Sequence, residues 1–163
     1  MGEFVIEIDD PRAQDVQEVI AAHLAFTNEH FPVEDYHVLD VNSLLAPNIS
    51  FFSIREDGQL LGVGALKQLD GLHAEIKSMH TAEAARGRGV ARALVGHLLD
   101  VARSRGWTRV SLETGSMEAY APARALYESI GFETCEPFAE YTASPFSICM
   151  TMELAPLGNS SGA

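Results

Sequence analysis

The sequence predicts an α/β domain (more strictly α+β), with a mixed sheet carrying helices on its faces. Three observations predict it. Short runs such as Phe4 to Ile8 alternate apolar and polar residues at the period of a strand. Longer runs, above all Gly89 to Arg105, place apolar residues along one stripe at the period of a helix. The two kinds interleave in the order strand, two helices, three strands, helix, strand, helix, two strands.

Each element has a local reason. Asp9-Asp10-Pro11 is a helix start, and Val16, Val19, Ile20, His23 and Leu24 follow at helical spacing until Phe26 to Pro32 break it. A short second helix is expected from Glu34 to Leu45, stopping before Pro47. Ser50 to Arg55 and Gln59 to Gln68 form a hairpin across Glu56-Asp57-Gly58, which carries the Asp-Gly turn signal. Ala74 to Thr81 is a further strand. In Gly89 to Arg105, Val90, Leu94, Leu98 and Val101 share a stripe, and Gly106 stops the helix. A strand over Thr108 to Glu113, a helix over Ala119 to Ile130, and strands over Phe132 to Glu136 and Phe146 to Leu154 complete the order.

Composition bounds the function. Apolar residues are 47% of the 163, enough for one core, so one domain is expected over 1–155, with 156–163 a flexible tail. A net charge of −12 argues against a nucleic-acid partner, which needs a basic face, and suits a cationic or amine substrate or simply solubility. No membrane span or signal-peptide pattern is present, and Cys135 and Cys149 lack both disulfide-framework and metal spacing. A cytoplasmic protein without metal, monomeric or homodimeric, is expected.

Arg86-Gly87-Arg88-Gly89-Val90-Ala91 lies between a strand and the longest helix. The first turn of a helix leaves backbone N–H groups without partners, and its dipole adds about half a positive charge, so the position suits a pyrophosphate. Glycines let phosphates approach those amides, and the arginines add charge. The Gly-Lys-Ser/Thr of a Walker loop is absent, and Arg92 stands where a dinucleotide fingerprint needs glycine. The alternative is a glycine-rich loop with solvated arginines.

The loop also matches the R/Q-x-x-G-x-G/A pattern of the GNAT superfamily of acyl-CoA-dependent N-acetyltransferases. About 40 residues on, Ala123 and Ala125-Leu126-Tyr127-Glu128-Ser129-Ile130-Gly131-Phe132 resemble that family's A-x-x-L-Y-x-x-x-G-F block. The resemblance implies the GNAT fold: a mostly antiparallel sheet of about six or seven strands, flanked by about four helices and splayed between the fourth and fifth strands. It implies acetyl-CoA as cosubstrate and an amine as acceptor. Met79, His80 and Thr81 match the strand end that pairs with the pantetheine arm. Arg86, Gly87, Arg88, Gly89, Val90, Ala91 and Arg92 match the pyrophosphate turn. Tyr127 matches a tyrosine that protonates the departing thiolate in many members. Many members carry Asn seven residues before it to contact the cofactor. Here Tyr120 stands in that place, with Ser116-Met117-Glu118 as a substitute contact.

Acetyl transfer needs a neutral amine, a stabilised thioester oxygen and a proton for the leaving thiolate. A lysine-like amine has a pKa near 10.4, so a base or a desolvating site is required. Backbone N–H groups at the strand end, near His80, suit the oxygen. Glu75 is the first candidate base, since GNAT members often place a glutamate on this strand. Strict alternation puts Glu75 and Met79 on one face. The other reading pairs Glu75 with Lys77 or solvent. His80 is the second candidate base.

The acceptor is expected to be a small amine or amino-acid-like molecule, attacking directly in a ternary complex. A protein N-terminus or lysine, and a silent acyl-CoA-binding module, stand as alternatives. Phe31, Tyr36, Phe138 and Tyr141 are candidate apolar walls of its pocket, with Glu34, Asp35 and Glu140 for a cation. Glu113 and Thr114 are candidates to line the cleft.

Overall fold

The structure is a computed structural model and describes residues 3–30, 41–139 and 141–155, with the side chains of 23–30 outside that set. Its elements are β1 (Phe4–Ile8), α1 (Gln14–His30), β2 (Ile49–Glu56), β3 (Gln59–Gln68), β4 (His73–Thr81), α2 (Val90–Ser104), β5 (Arg109–Gly115), α3 (Ala121–Ile130), β6 (Glu133–Cys135) and β7 (Ser147–Glu153). The strands form one sheet in the order β1-β2-β3-β4-β5-β7-β6. Every pairing is antiparallel except β4 with β5. This is the mixed, mostly antiparallel sheet expected.

Local chemistry explains most boundaries. The β2–β3 turn has positive φ at both Asp57 (52°) and Gly58 (81°), the backbone that lets a two-residue turn follow the strand twist. α2 buries Val90, Leu94 and Leu98 of the stripe read from periodicity, with Val95, Leu99 and Ala102 beside them, while Val101 of that stripe is half-buried. Each such leucine contributes roughly 1.5–3 kcal/mol by leaving water. On this face Leu66, Ile76, Val110, Leu112, Tyr127 and Met150 complete one core cluster. On the other face Val16 and Ile20 of α1 pack on Phe51, Leu60, Val63 and Ala65.

Three expectations change. α1 begins at Gln14, because Asp10 to Ala13 first make a turn in which the Asp10 carboxylate accepts the Arg12 backbone N–H at 2.8 Å. It then continues through Phe26 to His30 instead of breaking there, as no proline or glycine lies within 26–30 to stop it. Among the described residues there are three α-helices. Most of the second helix expected over Glu34 to Leu45 lies outside them, and its described end, Ser43–Leu45, is a single 3-10 turn.

Two features of β4 create the site. First, β4 and β5 pair only from His73↔Arg109 to Ile76↔Leu112; beyond that, Lys77 to Thr81 and Glu113 to Gly115 have no register to one another. The sheet therefore opens between the fourth and fifth strands, as expected. Second, Lys77 faces Ala65 while His80 faces Val63, so Ser78 and Met79 together stand opposite Gly64. This is a β-bulge, and Ser78 adopts φ 56°. The extra residue shifts the alternation. Met79 joins Ile76 in the α2-side core, where its sulfur lies 2.5 Å from the place a Cβ on Gly64 would take. Glu75 and Met79 are thus not on one face, which corrects the strict alternation read from the sequence.

Candidate active site

A cleft of about 560 Å³ runs from the open end of β4 across the start of α2 to α3. Met79, His80, Thr81, Arg86, Gly87, Gly89, Val90, Ala91 and Arg92 line it, joined by Tyr120, Leu126 and Tyr127 from the α3 side. Residues separated by some 40 positions in sequence therefore share one wall. The loop between β4 and α2 has φ of 79° at Gly87 and 81° at Gly89, which caps α2 in the left-handed conformation. A side chain at either position is strained by backbone geometry. No atom lies within 4 Å of where a Cβ would stand at either glycine, so the space over the loop is open. α2 has fifteen residues, so its first amides and its dipole face that space.

The arginines divide their work. Arg86 lines the cleft. Arg92 also lines it and donates to Ser129 Oγ at 2.7 Å, tying α2 to α3. Arg88 turns away: its guanidinium pairs with Glu56 at 2.7 Å and lies over the Phe4 ring. Its side chain therefore anchors the loop to β1 and β2 and does not line the cleft.

Tyr127 is buried, meets Phe132 edge to face with ring centroids 5.8 Å apart, and lines the cleft. Burial pushes its phenol up to about 12, so it keeps its proton throughout the physiological range. Tyr120 packs its ring against the backbone of Gly115, where any Cβ would strike it. The Ser116-Met117-Glu118 stretch makes other contacts: Ser116 donates to the Pro145 carbonyl at 2.6 Å, and Arg124 donates to the carbonyls of Gly115 and Met117, both at 2.8 Å.

The opposite face of the fork carries a second group. Glu75 accepts a hydrogen bond from the Tyr141 hydroxyl at 2.5 Å and pairs with Lys77 at 3.0 Å, while Lys77 donates to that hydroxyl at 2.6 Å. The pairing of Glu75 with Lys77, one of the two readings of the sequence, is present; Tyr141 as third member had no sequence signal, being 64 residues from Lys77. The Tyr141 ring packs on Phe138, but its hydroxyl is occupied, so it is a hydrogen-bonded pivot rather than a plain apolar wall. Glu113 sits on the end of β5 that has parted from β4 and stays paired with β7. His80 lines both the cleft and a separate cavity of about 500 Å³ beside α1 with Asp15, Glu18 and Glu83. Phe31, Tyr36, Glu34, Asp35 and Glu140 lie outside the described residues. Among the described residues no group of His, Cys, Asp or Glu could hold a metal ion, and no helix is long and apolar enough to cross a membrane.

Comparison with known proteins places this geometry. Residues 16–132 match the acetyltransferase (GNAT) family. An uncharacterized N-acetyltransferase, YsnE, of Bacillus subtilis is 45% identical over 149 residues, covering 91% of this chain and 99% of the relative. The IAA acetyltransferase of Azospirillum brasilense is 32% identical over 155 residues, covering 94% and 100%. A crystal structure from Klebsiella pneumoniae, assigned as an acyl-CoA N-acyltransferase, superposes with a TM-score of 0.78 at 27% identity, covering 93% and 98%. The chain belongs to the GNAT acetyltransferase family. It is an acyl-CoA-dependent N-acetyltransferase.

Proposed function

We propose that this chain moves the acetyl group of acetyl-CoA to the primary amine of a small or amino-acid-like acceptor, by direct attack in a ternary complex. The observation that carries the reading is the continuity of one cleft: it begins at the α2 N-terminus, suited to a pyrophosphate, and ends at the unpaired strand end beside Tyr127. A thioester laid along it brings its carbonyl to the bulged part of β4, whose β5-facing edge is unpaired and can offer N–H groups to the developing oxyanion.

The chemistry follows from these residues. The acceptor arrives as an ammonium and loses one proton to a base, for which Glu75 is the candidate on the face opposite the cleft. The nitrogen lone pair then attacks the thioester carbon, the C–N bond forms and the C–S bond breaks. Tyr127 gives its proton to the departing sulfur and regains one from the nitrogen, which becomes an amide. A phenol that stays neutral is suited to this donor role. Burial that raises a phenol raises a thiol as well, so donor and acceptor stay matched when both are desolvated. Met79, His80, Thr81, Gly87, Gly89, Val90, Ala91 and Tyr120, with the guanidinium groups of Arg86 and Arg92, hold the cofactor.

The acceptor side supports a small molecule, since Tyr141 fastens its loop down onto β4 beside the fork. We read 1–155 as one domain of a cytoplasmic protein; 156–163, expected to be a tail, lie outside the described residues. Release of free thiol from acetyl-CoA, measured over a panel of amino acids and simple alkyl amines, tests the reading. Amine-dependent release supports it; tight acetyl-CoA binding with no amine raising turnover leaves a silent binding module instead.

A further inference from the structure

Glu75, Lys77 and Tyr141 form a charged cluster taken almost wholly out of water, with exposures of 2%, 8% and 8%. A buried ion pair gains little net stability, because desolvation of both ions offsets their attraction. Its position is therefore informative. Lys77 is the first residue of β4 beyond the last β4–β5 pair, and Glu75 stands one residue before that point. The cluster sits at the fork of the sheet, on the face away from the cofactor cleft.

Both polar contacts fall on one oxygen. Tyr141 and Lys77 both reach Glu75 Oε2, and among the described residues no hydrogen bond reaches Oε1. The Tyr141 hydroxyl accepts from Lys77 and donates to Glu75, so the phenol locks ammonium and carboxylate into one geometry. The Lys77 ammonium also lies 5.1 Å from the Tyr141 ring centroid. Resting on the amine-transfer reading above, we infer that Lys77 and Tyr141 are positioning residues for the base: they anchor Glu75 through Oε2 and leave Oε1 to take the proton of the acceptor ammonium. A buried carboxylate without a counter-charge takes up a proton and ceases to be a base. Lys77 supplies that counter-charge at 3.0 Å, and the phenol fixes its geometry. Other titratable groups near Glu75 are His73 on β4, whose ring is bonded to Ser111 Oγ at 2.7 Å, Glu113 on β5 and Cys149 on β7. None of them supplies the fixed positive charge that Lys77 does.

The test is the pH profile of kcat/KM, using acetyl-CoA and whichever panel amine the wild type turns over fastest. Glu75→Gln is expected to lower kcat/KM by roughly 100-fold or more. Lys77→Met and the nearly isosteric Tyr141→Phe are each expected to lower it at neutral pH. They should also move the acidic limb upward, by about one pH unit or more for the charge removal. Lys77→Arg should leave the limb near the wild-type position. Thermal unfolding of each variant accompanies the kinetics. If the limb stays in place in Tyr141→Phe and Lys77→Met while only the unfolding temperature falls, the cluster is structural and the inference is wrong. If Glu75→Gln keeps wild-type turnover, the base is elsewhere and the inference fails too. If the wild type itself shows no amine-dependent thiol release, the amine-transfer reading fails first and takes this inference with it.

Discussion

Gly115→Ala is a sharp test of how the cleft wall is built. Gly115 ends β5, and the Tyr120 ring lies directly on its backbone. A Cβ placed there would stand 2.6 Å from Tyr120 Cγ and 2.8 Å from Cε2. Carbon atoms settle at about 3.5–4.0 Å, so the ring must retreat by roughly 1 Å. Cγ is the root of the ring, so a small twist of its tip does not relieve the contact. Overpacking of this kind costs about 1–3 kcal/mol, which for a chain of this size lowers Tm by roughly 2–12 °C. Because Tyr120 lines the cleft, the displaced ring also reshapes the proposed acetyl-CoA site. Calorimetric titration with CoA and thermal unfolding, run on Gly115→Ala, Tyr120→Ala and the double variant, separate the effects. The double variant should recover most of the stability lost in Gly115→Ala, since the clash has gone, while CoA affinity stays below wild type. Additive stability losses in the double variant, or wild-type CoA affinity in Gly115→Ala, would refute the argument that this contact shapes the site.

Three further outcomes follow from the same geometry. Tyr127→Phe should reduce kcat by roughly 10–1000-fold with acetyl-CoA affinity nearly unchanged, measured by steady-state kinetics and titration; an unchanged kcat removes Tyr127 from the acid role. Tyr127 also predicts an alkaline limit. Its folded pKa is raised from 10.0 to about 12, so folding is unaffected by this group below about pH 10. Stability then falls between about pH 10 and 12 by up to roughly 3 kcal/mol, as the unfolded chain loses the phenolic proton first. Denaturant unfolding across that window should show a shallower loss in Tyr127→Phe than in the wild type. Gly89→Val should weaken CoA binding by about tenfold or more, because it strains a residue at φ 81° and puts a branched side chain over the helix amides; equal binding by titration contradicts an anion site there.

The features legible in the sequence were local ones. The Asp57-Gly58 turn, the stripe of α2 and the strand-loop-helix setting of Arg86 to Ala91 depend on residues within a few positions of each other, and all three hold in the fold. The family pattern around Tyr127 gave the remaining wall of the cleft. Local period fails where one residue is inserted into a ladder: the bulge at Ser78 sends Met79 to the α2 side and leaves Glu75 on the other, although they are four residues apart in one strand.

The sequence by itself determined the class of fold, the glycine turn that starts α2 and the family, because periodicity, capping and motif spacing are properties of neighbouring residues. The tertiary structure alone decided the partners. It turned Arg88 to Glu56, stood Tyr120 on Gly115 and brought Tyr141 across 66 positions to Glu75. Such pairs depend on strand register and loop closure, which no local pattern encodes, and two of these three pairs shape the proposed site: its cofactor wall and its base.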